Sequence, residues 1–95
     1  MPAPTDRIRW TVLFSGMVQG VGFRYTTERV ARRFPVTGYV KNLPDGDVEV
    51  VAEGDREDVR QFVAAVEKAM AGYLRGRQIT EGPATDAWGD FAVRF

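Results

Sequence analysis

The chain has 95 residues, of which 44% are apolar and 12% aromatic, and equal numbers of acidic and basic residues give a formal net charge of zero. This length and composition predict one packed globular domain rather than two domains or a disordered chain. Because the sequence contains neither cysteine nor histidine, it excludes disulfides, the common zinc sites, cysteine nucleophiles and histidine bases.

The first residues of the chain carry two prolines and no long apolar stretch. We expect residues 1–6 to form a disordered leader and residues 7–95 to form the domain. No apolar run approaches the roughly 18 residues of a membrane helix, and the beginning of the chain does not resemble a signal peptide. These features predict a cytoplasmic protein with no membrane partner.

Alternating apolar residues predict the first strand over residues 7–15. Its inward face comprises Ile8, Trp10, Val12 and Phe14. The first helix is predicted over residues 23–33, where apolar residues have helical spacing and Pro35 follows. Three arginines of this helix lie off its apolar stripe and are interpreted as a solvated face: Arg29, Arg32 and Arg33.

The middle of the chain has the pattern of a hairpin followed by a helix. Strands are predicted over residues 37–43 and 47–53, joined by the turn Pro44-Asp45-Gly46. The second helix is predicted to begin after Gly54, with Asp55 as its N-cap. Its apolar stripe predicts the core-facing residues Val59, Phe62, Val63, Val66 and Met70.

The last quarter of the chain gives weaker signals. A fourth strand is predicted over residues 75–81, a loop over residues 82–89 and a closing strand over residues 91–95. The order β-α-β-β-α-β is that of the split βαβ arrangement. The sequence therefore predicts a ferredoxin-like α+β fold with one antiparallel sheet and both helices on one face.

A glycine-rich stretch, Gly16-Met17-Val18-Gln19-Gly20-Val21-Gly22-Phe23-Arg24, joins the first predicted strand to the first predicted helix. Its glycines allow positive φ angles, which bring backbone N–H groups onto one concave surface. The helix start adds further N–H groups, and the forked guanidinium of Arg24 can bind the same anion. The stretch is a candidate phosphate-binding loop, and a tight corner without a ligand is the alternative.

This stretch closely resembles the signature of the acylphosphatase family. The motifs Gly38-Tyr39-Val40-Lys41-Asn42 and Asp45-Gly46, followed by residues 48–54, are similar to the family's second block. The resemblance is close from residue 8 to residue 70 and looser from residue 72 to the end. It implies an enzyme that hydrolyses acyl phosphates to a carboxylate and inorganic phosphate.

The resemblance also implies roles for individual residues. In the family, the arginine that matches Arg24 binds the phosphoryl group and the asparagine that matches Asn42 positions the attacking water, so both are expected to be catalytic here. The expected phosphate-binding set is Gln19, Gly20, Val21, Gly22, Phe23 and Arg24. Strand alternation places Lys41 on the side opposite to Asn42.

The expected chemistry needs few groups. The conjugate acid of the leaving carboxylate has a pKa of roughly 4, so no general acid is required. Phosphoryl transfer depends mainly on positioning and electrostatic stabilisation, which amides and a guanidinium supply. We therefore expect direct attack by water without a metal, a cofactor or a covalent intermediate. Inorganic phosphate is expected as product and inhibitor, and the protein is expected to be a monomer.

Two other functions fit parts of the pattern. A non-catalytic module could use the same loop to hold phosphate or an acyl phosphate. RNA-recognition modules share the βαββαβ order, but their third strand displays aromatic residues, and the third predicted strand here has none. No nucleic-acid partner is therefore expected. The loop also lacks a dinucleotide fingerprint, since Tyr25 occupies the position of its third glycine.

Overall fold

The computed structural model describes residues 6–95, so the first five residues, which belong to the predicted leader, lie outside the described part. Its elements are β1 (Arg7–Gly16), α1 (Phe23–Ala31), β2 (Thr37–Asn42), β3 (Val48–Asp55), α2 (Arg56–Ala69), β4 (Leu74–Pro83) and β5 (Phe91–Arg94). Asp6 is tied to the start of α2, because its carboxylate lies 2.6 Å from the Arg56 guanidinium. None of the described helices is long and apolar enough to cross a membrane.

The five strands form one sheet in the order β4-β1-β3-β2-β5. Strand β1 pairs antiparallel with both β3 and β4, and β2 pairs antiparallel with β3. The predicted ferredoxin-like fold is confirmed. One detail differs, because β5 pairs with β2 in parallel and the sheet is therefore mixed. Residue alternation within a strand of four residues carries no information about the direction of its neighbour.

The core lies between the helices and one face of the sheet. Alternation along β1 buries Ile8, Val12 and Phe14. The other predicted core residues are buried as well: Val59, Phe62, Val63 and Val66 on α2, and Met70 directly after it. Several element boundaries differ from the predictions by one or two residues, among them the ends of α1 and β4. Helix α1 ends at Ala31, before two tight turns, and β4 extends to Pro83 because it pairs with β1 along its whole length.

The loop between β4 and β5 covers part of the sheet face opposite to the helices. Glu53 of β3 is fully buried under this loop. Its carboxylate accepts hydrogen bonds from the backbone N–H and the hydroxyl of Thr85 and from the N–H of Asp86, each at 2.8 Å. A single buried carboxylate therefore satisfies several polar groups of the loop.

We expect Glu53→Gln to destabilise the fold by about 2 kcal/mol, because the amide loses the charge assistance of the buried carboxylate and places an NH₂ group against N–H donors. The melting temperature should fall on the order of 10 °C in a thermal scan followed by circular dichroism. Glu57→Gln, which removes an exposed ion pair with Arg60, is the control and should change far less. Equal melting temperatures for wild type and Glu53→Gln would contradict this account of the loop.

Aromatic contacts also hold the loop between β4 and β5 against β2. The Trp88 ring meets Tyr39 of β2 edge-on with ring centroids 5.6 Å apart, and the Tyr39 hydroxyl donates to Glu49 at 2.7 Å. Burial and this hydrogen bond raise the pKa of Tyr39 to about 12. The guanidinium of Arg94, in β5, lies 5.0 Å from the Tyr39 ring centroid. Strand β5 is therefore held by this contact of the Arg94 side chain as well as by its backbone pairing with β2.

Candidate active site

The loop of residues 17–22 connects β1 to α1 in the conformation that its glycines permit. Gly20 has φ of 77° and Gly22 has φ of 78°, a left-handed region that residues with a Cβ adopt only at a cost. Val18 is fully buried and anchors the loop in the core. The Met17 N–H donates to the Tyr73 carbonyl at 2.9 Å, which fixes the beginning of the loop.

Most backbone N–H groups of this loop have no hydrogen-bond partner among the described residues. From residue 18 to residue 23, none donates to an acceptor within the described residues, and the first helical bond runs from the Thr26 N–H to the Gly22 carbonyl at 3.0 Å. Helix α1 has no side-chain cap and no acidic residue in its first turn. Unpaired N–H groups at a helix start favour an anion. The local geometry therefore suits the binding of an anion such as phosphate.

The loop borders a pocket of about 190 Å³ into which the end of β2 also projects. The pocket is lined by Val18, Gly20, Gly22, Phe23, Arg24, Tyr25 and Asn42. Five of the predicted site residues are thus brought together. Gln19 and Val21 do not line the pocket, because the Val21 side chain packs against the core and the Gln19 side chain bonds to the hairpin between β2 and β3.

Two lining residues were not predicted, Val18 and Tyr25. Tyr25 directly follows Arg24 in the first turn of α1, and its side chain is 59% exposed. Its place next to the arginine was the only signal in the sequence that pointed to the pocket. Val18 follows the pattern of a core residue, and its burial under the loop depends on tertiary packing.

Arg24 is oriented by the last residues of the chain. Its Nη1 donates to the Arg94 carbonyl at 3.3 Å, and its guanidinium lies 4.5 Å from the centroid of the Phe95 ring. None of the ion pairs formed within residues 6–95 includes Arg24. Its positive charge therefore remains uncompensated beside the loop amides.

Asn42 is the last residue of β2, and its side chain faces the pocket. Its Oδ1 atom is buried and accepts no hydrogen bond from any residue that the structure describes. Leaving a buried acceptor unsatisfied typically costs about 1–3 kcal/mol. Such an atom in a pocket beside the glycine loop indicates a hydrogen-bond donor that belongs to a ligand or to water.

The comparisons with known proteins agree with this geometry. The family model described as acylphosphatase matches residues 10–92. An acylphosphatase from Syntrophotalea carbinolica is 44% identical over 93 residues, which cover 93% of this chain and 97% of the relative. The crystal structure of an acylphosphatase from Bacillus subtilis has a TM-score of 0.83 at 30% identity and covers 93% of this chain and 99% of that chain.

A second solved structure, an acylphosphatase from Coxiella burnetii, has a TM-score of 0.80 at 32% identity and covers 94% of each chain. The fold is a small α+β domain with a pocket at the start of its first helix, and similar enzymes share the whole domain. The chain belongs to the acylphosphatase family. The predicted family and the predicted class of enzyme are thereby confirmed, and nothing favours the non-catalytic alternative.

Proposed function

We propose that this acylphosphatase cleaves the carboxyl-phosphate bond by direct attack of water. The loop amides from Gln19 to Phe23 and the guanidinium of Arg24 bind the phosphoryl group, and Asn42 positions the water. One observation carries the proposal: the buried Oδ1 of Asn42, which has no partner among the described residues, lies in the same pocket as Arg24 and the glycine loop.

The phosphoryl group binds through charge and directed N–H groups. Its three equatorial oxygens carry the charge of the transition state, and amides together with a forked guanidinium match that arrangement. No carboxylate lines the pocket to repel the phosphate. Because these donors are held in place before the substrate arrives, little reorganisation is needed during the reaction.

The attack of water follows from the position of Asn42. Its Oδ1 accepts a hydrogen bond from the water and thereby orients a lone pair towards phosphorus. A new P–O bond forms to the water oxygen while the P–O bond to the acyl group breaks, and the acyl group leaves as a carboxylate. The water proton passes to a phosphate oxygen, so inorganic phosphate is the second product.

The residues around the pocket support a reaction without a metal or a covalent intermediate. The lining offers no carboxylate, thiol or imidazole. Within residues 6–95, no three acidic side chains lie close enough together to hold a metal ion. We also infer that inorganic phosphate inhibits the enzyme competitively, since product and substrate share the phosphoryl group. We further infer that the enzyme acts as a cytoplasmic monomer.

The decisive experiment is phosphate release from benzoyl phosphate in the presence of EDTA. We expect turnover to be unchanged by the chelator, because water, amides and a guanidinium perform the reaction. Added Mg²⁺ should not raise the rate. Loss of activity in EDTA that Mg²⁺ restores would contradict the proposal. Phosphate binding without turnover would instead identify the protein as a non-catalytic binding module.

We expect the enzyme to contribute no ionisation to kcat between roughly pH 5 and 9, because a guanidinium stays protonated there and a carboxamide does not titrate. Any slope should follow the substrate phosphate. The measurement is kcat over this range, corrected for substrate titration and spontaneous hydrolysis. A residual bell would reveal a missed acid or base. The nearest carboxylates in sequence are already engaged, Glu28 with Arg32 and Asp45 with the Asp47 N–H.

A further inference from the structure

The side chain of Gln19 crosses from the phosphate-binding loop to the hairpin that carries Asn42. Its Nε2 donates to the carbonyl of Leu43 at 2.8 Å and to the carbonyl of Asp47 at 2.9 Å. These two residues close the hairpin between β2 and β3, since the Leu43 N–H donates to the Asp47 carbonyl at 2.8 Å. One carboxamide therefore joins the loop to both sides of the hairpin.

This arrangement prevents the Gln19 side chain from binding phosphate. A carboxamide NH₂ group has two hydrogens, and both are donated to the hairpin. The remaining polar atom, Oε1, is an acceptor and would repel a phosphate oxygen. The backbone N–H of Gln19 remains free to bind the anion, whereas its side chain is engaged by the hairpin.

The role of the Gln19 side chain follows from the position of Asn42 beside its contact with the hairpin. Leu43 directly follows Asn42, and the Asn42 Oδ1 accepts no hydrogen bond from the residues described. Its position therefore depends on the backbone at the end of β2. The Gln19 bond to the Leu43 carbonyl is the polar link, partly shielded from water, between that backbone and the loop that holds the phosphate.

We propose that Gln19 is a positioning residue, which sets the distance between the phosphate-binding loop and the water that Asn42 holds. The proposal rests on the role proposed for Asn42 above. In-line attack requires water and phosphorus to be aligned, and a displacement of about 1 Å can cost on the order of 100-fold in rate. Gln19 thus acts on turnover through Asn42 and leaves the affinity of the loop for phosphate unchanged.

The first test replaces the side chain by one of similar size without donors. We expect Gln19→Leu to lower kcat by roughly 10- to 100-fold and to change the inhibition constant of inorganic phosphate by less than about threefold. Gln61→Leu is the matched control, because it removes an exposed amide donor to Glu57 on α2 and should leave both constants unchanged. A parallel loss of phosphate affinity and kcat would overturn the proposal.

A double-mutant cycle shows whether Gln19 acts through Asn42. In an Asn42→Ala enzyme, adding Gln19→Leu should lower kcat by less than about threefold, because the group that Gln19 positions is already absent. Fully additive losses would overturn this inference while leaving the proposed function intact. If Asn42→Ala alone kept normal turnover, the proposed function itself would fail, so the two failures are distinguishable.

A second variant keeps the test decisive if Gln19→Leu does not fold. Gln19→Glu preserves the shape but presents a carboxylate to two carbonyl oxygens, which disfavours the charged form. Its kcat should be low at pH 7 and should rise as the pH falls, because the protonated carboxyl regains one donor. Gln61→Glu should show no such limb. Normal kcat at pH 7, or no rise towards low pH, would overturn the proposal.

Discussion

Arg24→Lys should lower kcat/KM by on the order of 100-fold or more while the protein remains folded. Lysine keeps the positive charge but replaces a planar fork by a single ammonium group, so it cannot hold two phosphate oxygens at once. Removing one preorganised donor from a developing anion typically costs about 3 kcal/mol in the transition state. The loss should therefore appear in kcat as well as in KM.

The surroundings of Arg24 strengthen this expectation. The guanidinium is oriented by the Arg94 carbonyl and by the flat Phe95 ring, two contacts that suit a planar group. Arg29→Lys is the matched control, since Arg29 lies on the exposed face of the same helix and should tolerate the change. Both variants are compared by initial rates with benzoyl phosphate. Near-normal turnover of Arg24→Lys would show that Arg24 does not belong to the proposed site.

The sequence predicted those features that depend on local pattern. Alternation identified β1 and the hairpin, helical spacing identified the core stripe of α2, and the glycine stretch located the loop beside the pocket. Each of these follows from the period of the backbone or from the φ angles that glycine permits. The same reasoning placed Asn42 on the side of β2 opposite to Lys41.

Features that depend on which distant groups meet were not predicted. Gln19 was assigned to the phosphate-binding set as part of its loop, and the sequence did not predict the partners of its side chain, which lie 24 and 28 residues further along the chain. Glu53 was assigned only to a strand, yet it anchors a loop that begins beyond Pro83. A polar residue chooses its hydrogen-bond partners by tertiary geometry, and the spacing of residues in one sequence does not contain that information.

Asn42→Ala should separate chemistry from binding. We expect kcat to fall on the order of 100-fold, because the variant loses the acceptor proposed to align the water, while the loop amides and Arg24 keep their places. The inhibition constant of inorganic phosphate should change by less than about threefold, since none of the groups proposed to bind the anion has been removed. The change concerns a buried acceptor without a partner among the described residues, so no existing hydrogen bond of its Oδ1 is lost with it.

Lys41→Ala provides the control for this experiment. Lys41 is the neighbouring residue of β2, its side chain faces the opposite side of the sheet, and it does not line the pocket. Its replacement should therefore leave kcat and the phosphate inhibition constant close to those of the wild type. If Asn42→Ala folded normally but lost phosphate affinity and turnover to the same extent, Asn42 would belong to the phosphate-binding group. The water would then need another residue to orient it, and Tyr25, whose hydroxyl is the remaining polar side-chain group of the pocket lining, would be the next residue to replace.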